Sequence, residues 1–373
     1  MGKGFNVAAD IVNRTADGRD INDMWAEFQA TVALRNSRRQ PLIDLLTFPV
    51  TNVIEDVPQI GQEDFEEASE FGVPKGIRPQ LTYFSLAYTF KWYDLAKRNT
   101  WRFLADATAA QVEANHQVAL DADNRLVFKT VMHTLFRNTN RSATINGQSY
   151  NVYALYNNDG TVPPEYAGNT FDGTHTHYLV SGAAGIDSGD FEAMIEHLRH
   201  HGYSPANGMQ LVALVNPAQS VAIRTWRANT ANANGAVALY DFIPASNQPS
   251  LIVPNSDGLL GTIPPSSFQG FSVIGSYGSV LIIEEDYCPA GYVAMIATGG
   301  AANLRNPVGI RMHPNASLQG LLLLGGNQTG YPLIESFYTR GLGTGIRQRG
   351  GTVIMQIKAS GNYDIPALYA NVP

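Results

Sequence analysis

With 373 residues the chain can bury a sizeable core and hold two domains. Its 32 acidic and 25 basic residues leave a net charge of −7, which argues against a dedicated nucleic-acid reader. Only 15% of residues are charged, while Gly (35) and Pro (20) are plentiful, so the surface is less ionic and richer in turns than that of a typical enzyme. Such a surface is expected where subunit contacts cover it. The single cysteine, Cys288, excludes an intrachain disulfide and suits a reducing compartment. Met1–Val12 lacks the basic and apolar regions of a signal peptide, and the aliphatic cluster Leu321–Leu324 is too short to cross a bilayer. A soluble chain without a membrane partner is expected.

Residues 1–48 read as an arm. One short helical pattern, Met24 to Leu34, is marginal unless it packs on something, and the alternative is a first core helix. Residues 49–96 begin with a β-rich run, Val50 to Val57. An acidic stretch follows (Glu55, Asp56, Glu63, Asp64, Glu66, Glu67, Glu70), then a turn with Gly72, Pro74, Lys75, Gly76 and Pro79, then LTYFSLAYTFKW from Leu81 to Trp92. The pattern predicts a long projecting hairpin that needs a neighbour to bury its faces; a solvated acidic loop is the plainer reading.

Residues 97–137 carry the longest helical stripe, including Leu104, Val112, Ala119, Leu126, Val131 and Leu135. It predicts a rod of about 60 Å, with a possible bend at Asp121–Asn124. Residues 138–187 are turn-rich, as in a hairpin insertion or connector. A helix then starts near Asp187 and Ser188 and stops at Gly202, with Phe191, Ile195 and Leu198 on one face. A strand over Gln210–Val215 leads to Asn216-Pro217, an N-cap and first-turn pair that opens a helix to about Asn229. Short strands follow, ending in Val280–Glu284 and Gly291–Thr298.

From Tyr331 to Pro366 two β-rich runs flank a turn rich in Gly and Arg, which predicts a terminal hairpin with a basic tip. In its second run Val353, Met355 and Ile357 alternate with Thr352, Ile354, Gln356 and Lys358, a period-2 pattern with Ile354 as the apolar exception.

Few residues suggest chemistry. Glu196 and His200 are four apart on a predicted helix, near His175, His177, His197 and His201, and could share a metal. The spacing is not HExxH, and no metal or other cofactor is expected. Gly325 and Gly330 have Walker-like spacing, but Tyr331 stands where Lys is required, and Gly341-x-Gly343-x-Gly345 lacks the dinucleotide-binding spacing. GxSxG is absent, and Cys288 has no nearby His. No catalytic residue is assigned, and the chain is not expected to be an enzyme.

The order of elements, together with local motifs, resembles the Hong Kong 97-type major capsid protein of tailed bacteriophages. FDGTHTHYLVSGAAGIDSGDFEAMIEHLRHHGY (Phe171–Tyr203) followed by LVALVNPAQSVAIRTW (Leu211–Trp226) looks like the helix, strand and Asn-Pro helix of that family's axial domain. GYVAMIATGG (Gly291–Gly300) resembles a late strand of that domain, and GIRQRGGTVIMQIKASGNYDIP (Gly345–Pro366) the closing strand of the peripheral domain. The resemblance implies an α+β, Hong Kong 97-like fold. Its parts would be an N-terminal arm (1–48), an extended loop (49–96), a P domain with a long spine helix (97–150), an axial A domain with an insertion (151–329), and return strands with the C-terminus (330–373).

It further implies self-assembly into hexamers and pentamers of an icosahedral head, in the virion, around packaged double-stranded DNA held without sequence specificity. Separate scaffolding and portal proteins, and decoration proteins in some members, would be partners, with assembly in the bacterial cytoplasm. The founding member's cross-link joins a loop Lys to a P-domain Asn; Lys75 and Asn327 sit in no convincing motif here, so no cross-link is expected. Charge suggests an inter-subunit pairing. Glu63, Asp64, Glu66, Glu67 and Glu70, with Lys75, would meet a neighbour's basic residues at the helix start (Lys97, Arg98, Arg102) or on the C-terminal hairpin (Arg340, Arg347, Arg349). Two rivals are an encapsulin-like nanocompartment shell and a metal-dependent hydrolase built on His175, His177 and His200.

Overall fold

The computed structural model of the chain describes residues 13–37, 41–58, 65, 67, 72–73, 83–246, 263–325 and 335–370. Among them, an eight-stranded sheet forms the centre of the molecule. Across it run β10 (Ser267–Phe268), β11 (Phe271–Tyr277), β12 (Val280–Glu284), β8 (Gln210–Val215), β13 (Tyr292–Thr298), β17 (Thr352–Gln356) and β7 (Tyr178–Val180), with β9 (Phe242–Pro244) paired to β11. Its inner strands are apolar on both faces because both faces are covered. Leu211, Ala213, Val215, Ile282, Val293, Met295, Val353 and Met355 pack with Phe191, Met194 and Leu198 of helix α5 (Ser188–His200) and with Trp226. Val212, Leu214, Ile283, Ala294, Ile296 and Ile354 face the other way, onto the long helix α4 (Ala109–Phe136). Ile354, the exception to the alternation, is therefore a core residue of the second face.

A second sheet runs β1 (Thr47–Val50), β14 (Val308–Arg311), β16 (Glu335–Ile346) and β15 (Leu321–Gly325), with β4 (Lys91–Arg98) also on β16. β16 is 12 residues long, pairs with β4 along its first eight residues and with β15 over Ser336–Arg340, and takes β14 along its last four. Its alternate glycines have a steric purpose. Residues 88–90 cross β16 there, and a Cβ on Gly343 would collide with the Thr89 carbonyl, one on Gly341 with Phe90, and one on Gly345 with Tyr88.

The long helix is shorter than its sequence stripe. Lys97 and Arg98 end strand β4, α3 (Trp101–Asp106) follows, and α4 starts afresh at an N-cap, Thr108. The Gln111 amide donates to Thr108 Oγ1 at 3.4 Å, while Gln111 Oε1 accepts from the Thr108 amide at 3.0 Å, a capping box that favours a new helix start over continuation. Twenty-eight residues give α4 a length of about 42 Å. There is no break at Asp121–Asn124; Asp123 is buried and ion-paired. The stripe fails near the end of α4, where Val131 to Phe136 are all buried, because that half lies between the two sheets.

The stretch read as an arm supplies a core helix instead. In α1 (Ile21–Ser37), Ile21, Met24 and Phe28 pack on Leu104, Ala107, Ala109 and Val112, which stabilises a helix too short to persist alone. The turn-rich region contains a true hairpin, β5 (Arg141–Ile145) with β6 (Gln148–Val152), closed by Asn146-Gly147 with positive φ at both residues. Helix α5 has the expected cap, Asp187, and stop, Gly202. Asn216 caps α6 (Pro217–Ile223) as expected, but that helix ends six residues before Asn229, and the buried Trp226 follows in a turn.

The C-terminal runs do not form a hairpin. β16 belongs to the smaller sheet and β17 to the central one, so Arg347–Gly351 is a crossing between sheets and not a tip. Period-2 patterning marks strands but does not say which strand pairs with which. Gly343→Ala is expected to lower stability by about 1–3 kcal/mol or more in urea unfolding. Ala at Gly185, whose added Cβ would meet only Ala233 Cβ at 4.0 Å, is expected to be tolerated.

Candidate functional site

The segment expected to form the projecting loop is bounded by a two-stranded ladder, β2 (Ile54–Pro58) against β3 (Tyr83–Ala87), registered from Ile54↔Ala87 to Pro58↔Tyr83. At its base Glu55 turns inward: its carboxylate is 2.8 Å from Arg347 Nε and accepts from Tyr88 Oη at 2.8 Å. Burial, then the Glu55 charge and hydrogen bond, push the Tyr88 phenol well up, so it remains a donor. Glu63, Asp64, Glu66, Glu70 and Lys75 lie outside the described residues. Glu67 is exposed, as are Phe65 and Val73, two apolar side chains that a solvated loop gains nothing by presenting.

The basic residues separate into two groups. Arg340 makes a bidentate contact with Asp123, with Nη2 to Oδ2 at 2.8 Å, and Arg35 Nε lies 3.5 Å from the same carboxylate. Arg347 is held by Glu55. Arg349 is 4% exposed, which corrects its reading as a surface docking residue. Its guanidinium donates to the carbonyls of Ala154 (2.8 Å) and Leu155 (3.2 Å), to Thr161 Oγ1 (2.8 Å) and to Asp159 Oδ2 (2.7 Å). It also lies over the rings of Tyr156, Tyr153 and Phe84, at 4.5, 4.9 and 5.6 Å from their centroids. Lys97 reaches inward over the Phe28 ring, and burial brings its ammonium down to about 8. Arg98 and Arg102 remain on the surface, where Arg98 lies 3.6 Å from Glu335.

The histidines group differently from the expected Glu196–His200 pair. Glu196 and His200 contact each other at 2.9 Å on the surface, beside Arg199. The residues that converge are His175, His177, His197 and His201. His197 and His201 are also four apart, on the face of α5 that carries Met194 and Leu198, while His175 and His177 precede β7. Extending the apolar face through Met194 would have picked this pair from sequence.

No family model matches the chain, and no curated protein does. Among solved structures, the chain is 49% identical to one from Mycobacterium phage Patience, with a TM-score of 0.76 over 99% of this chain and 97% of that one. The chain belongs to the Hong Kong 97-type major capsid proteins of tailed bacteriophages. It is a structural protein of an icosahedral phage shell. The capsid of an empty GTA particle matches at 12% identity and a TM-score of 0.46 over 86% of this chain and 91% of that one. The holo-SrpI encapsulin complex of Synechococcus elongatus PCC 7942 matches at 12% and 0.46, over 90% and 97%.

In the capsid protein, the Arg349 pocket ties the loop base to the body through Phe84, and Asp159 is its ionic partner. Burial alone would raise the Asp159 carboxyl; hydrogen bonds from Asn140 and Thr161 and the Arg349 charge outweigh that and hold it below its usual value. A depressed carboxylate stabilises the fold above its unfolded pKa, and that contribution is lost as pH falls through the folded value. Asp159→Asn is therefore expected to destabilise the subunit at neutral pH, with the gap to the parent narrowing below about pH 4 in urea titrations. Arg349→Lys should also destabilise, because one ammonium cannot reproduce the planar fork.

Proposed function

We propose that this chain builds its shell as hexamers and pentamers around packaged double-stranded DNA, with each extended loop lying on a neighbouring subunit. The observation that carries this reading is the β2/β3 ladder. It bounds the segment that holds Phe65, Glu67 and Val73, all exposed, and a two-stranded projection is marginal by itself. The loop's carboxylates need a basic partner. Arg340, Arg347 and Arg349 are turned into their own subunit, whereas Arg98 and Arg102 are exposed at the end of β4 and the start of α3, so the docking partner is that surface of a neighbour. Lys75 stays with the loop's own charges in this reading.

Apolar surface supports further contacts. Val237, Leu239 and Tyr240 are exposed on one segment of the central-sheet unit, a fitting place for contacts around the capsomer axis. Trp92 and Leu95 on β4 and Leu324 on β15 are exposed on the smaller sheet, where subunits of adjacent capsomers would meet. With a net charge of −7, contact with DNA relies on local basic residues and counterions and carries no sequence preference. Scaffolding and portal proteins would be separate partners, and assembly would take place in the bacterial cytoplasm.

Each exposed ion pair contributes only about 0–1 kcal/mol, but repetition over a shell fixes register. The paired substitution Glu66→Lys/Glu67→Lys is expected to reduce particle yield in sedimentation assays and to make assembly more sensitive to salt. Adding Arg98→Glu/Arg102→Glu should restore yield. Normal particles from the loop variant at every salt concentration would sink the docking scheme.

A further inference from the structure

Where the C-terminal end of α5 meets the chain entering β7, four imidazoles each bring a ring nitrogen to within 4.8 Å of the others. His175 Nε2 and His177 Nε2 lie 2.8 and 3.1 Å from the same atom, His201 Nε2. Carbonyls fix which nitrogens carry protons. His177 Nδ1 is 2.7 Å from the Thr352 carbonyl and must donate to it, so His177 Nε2 presents a lone pair inward. His197 donates a ring N–H to the Thr176 backbone carbonyl, and its buried Nε2 has no partner among the described residues.

If His201 carries its proton on Nε2, that proton satisfies one of the two lone pairs facing it, and the other stays unmet. His177 is fully buried, and the rings of His175, His197 and His201 pack around it, so the unmet lone pair is shut away from water. A desolvated cluster of surplus lone pairs is what a cation would resolve.

We propose that His175, His177, His197 and His201 form a closed tetrahedral site for a borderline divalent transition metal, with Zn2+ the first candidate. Tetrahedral Zn–N bonds of about 2.0–2.1 Å would set the nitrogens about 3.3–3.4 Å apart, a value bracketed by the present separations. Neutral imidazole is the ligand form, and an all-nitrogen set favours zinc-like metals over Mg2+ or Ca2+. The Thr352 carbonyl, with the Thr176 backbone contact, supplies the outer hydrogen bonds that metal-binding histidines commonly have. His201 also lines a surface cleft of about 490 Å³ with Tyr166, Asn207 and Arg305, so one ligand of the site borders solvent.

Four protein ligands leave no open position, so the role is structural. The metal would clamp the end of α5 to the chain beside β17, in a subunit whose single cysteine rules out an intrachain disulfide. The test loads the purified full-length chain with Zn2+, dialyses it against metal-free buffer and measures metal by mass spectrometry. About one equivalent per chain is expected, and loading with Co2+ should give the strong visible bands of tetrahedral coordination. His175→Gln and His197→Gln, each confirmed folded by circular dichroism, should each weaken Zn2+ binding at least 100-fold. The surface pair Glu196→Gln/His200→Gln should leave it unchanged. Two results would overturn the site: a wild-type chain that keeps no zinc after dialysis, or retained zinc that only the surface variant removes.

Discussion

Burial of the Arg349 charge is the constraint on which much of the subunit depends. A guanidinium cannot be desolvated unless nearly every N–H finds an acceptor, and here backbone carbonyls, a threonine and a carboxylate converge on it while three aromatic rings cover its faces. Those partners come from the loop base, from the residues that follow β6 (153–156) and from the turn around Asp159. The residue itself lies where the chain passes from the smaller sheet to the central one. One side chain thereby links the crossing between the sheets to the residues after β6 and to Phe84 of β3.

The second constraint is the central sheet with two covered faces. α5 and Trp226 cover one side; the second half of α4 covers the other and also reaches the smaller sheet through Thr134, whose Oγ1 lies 2.7 Å from Thr344 Oγ1. His116 extends the connection, stacking on Phe28 of α1 and meeting Tyr338 Oη of β16 at 2.7 Å. The two sheets thus share one helix and one continuous set of contacts. Such a body resists internal shear, which suits a building block whose projections must meet neighbours at fixed angles.

Much of this was legible in the sequence, and the failures have physical causes. Caps and stops at Asp187, Gly202 and Asn216-Pro217 were readable because they are local chemistry. The two strands at the loop base were readable because they flank a polar run. The partners of β16 and β17 were not, since alternation is silent about which sheet a strand joins; nor was the fate of Arg340 and Arg349, since an arginine beside glycines reads as a turn whether or not a distant carboxylate waits for it. The glycines of β16 looked like a failed phosphate loop, yet they make room for residues 88–90 to cross. At the histidines, spacing alone pointed to Glu196 and His200. Burial selects the pair one residue further along the helix, and only tertiary structure brings in His175 and His177.

The central claim is that this fold is a shell subunit whose extended loop is completed by a neighbour. Electron cryomicroscopy of particles formed by the purified chain tests it most directly. The account predicts closed icosahedral shells in which residues 59–82 lie on an adjacent subunit, close to its Arg98 and Arg102. Small discrete oligomers, or shells in which each loop folds back onto its own subunit, would contradict it.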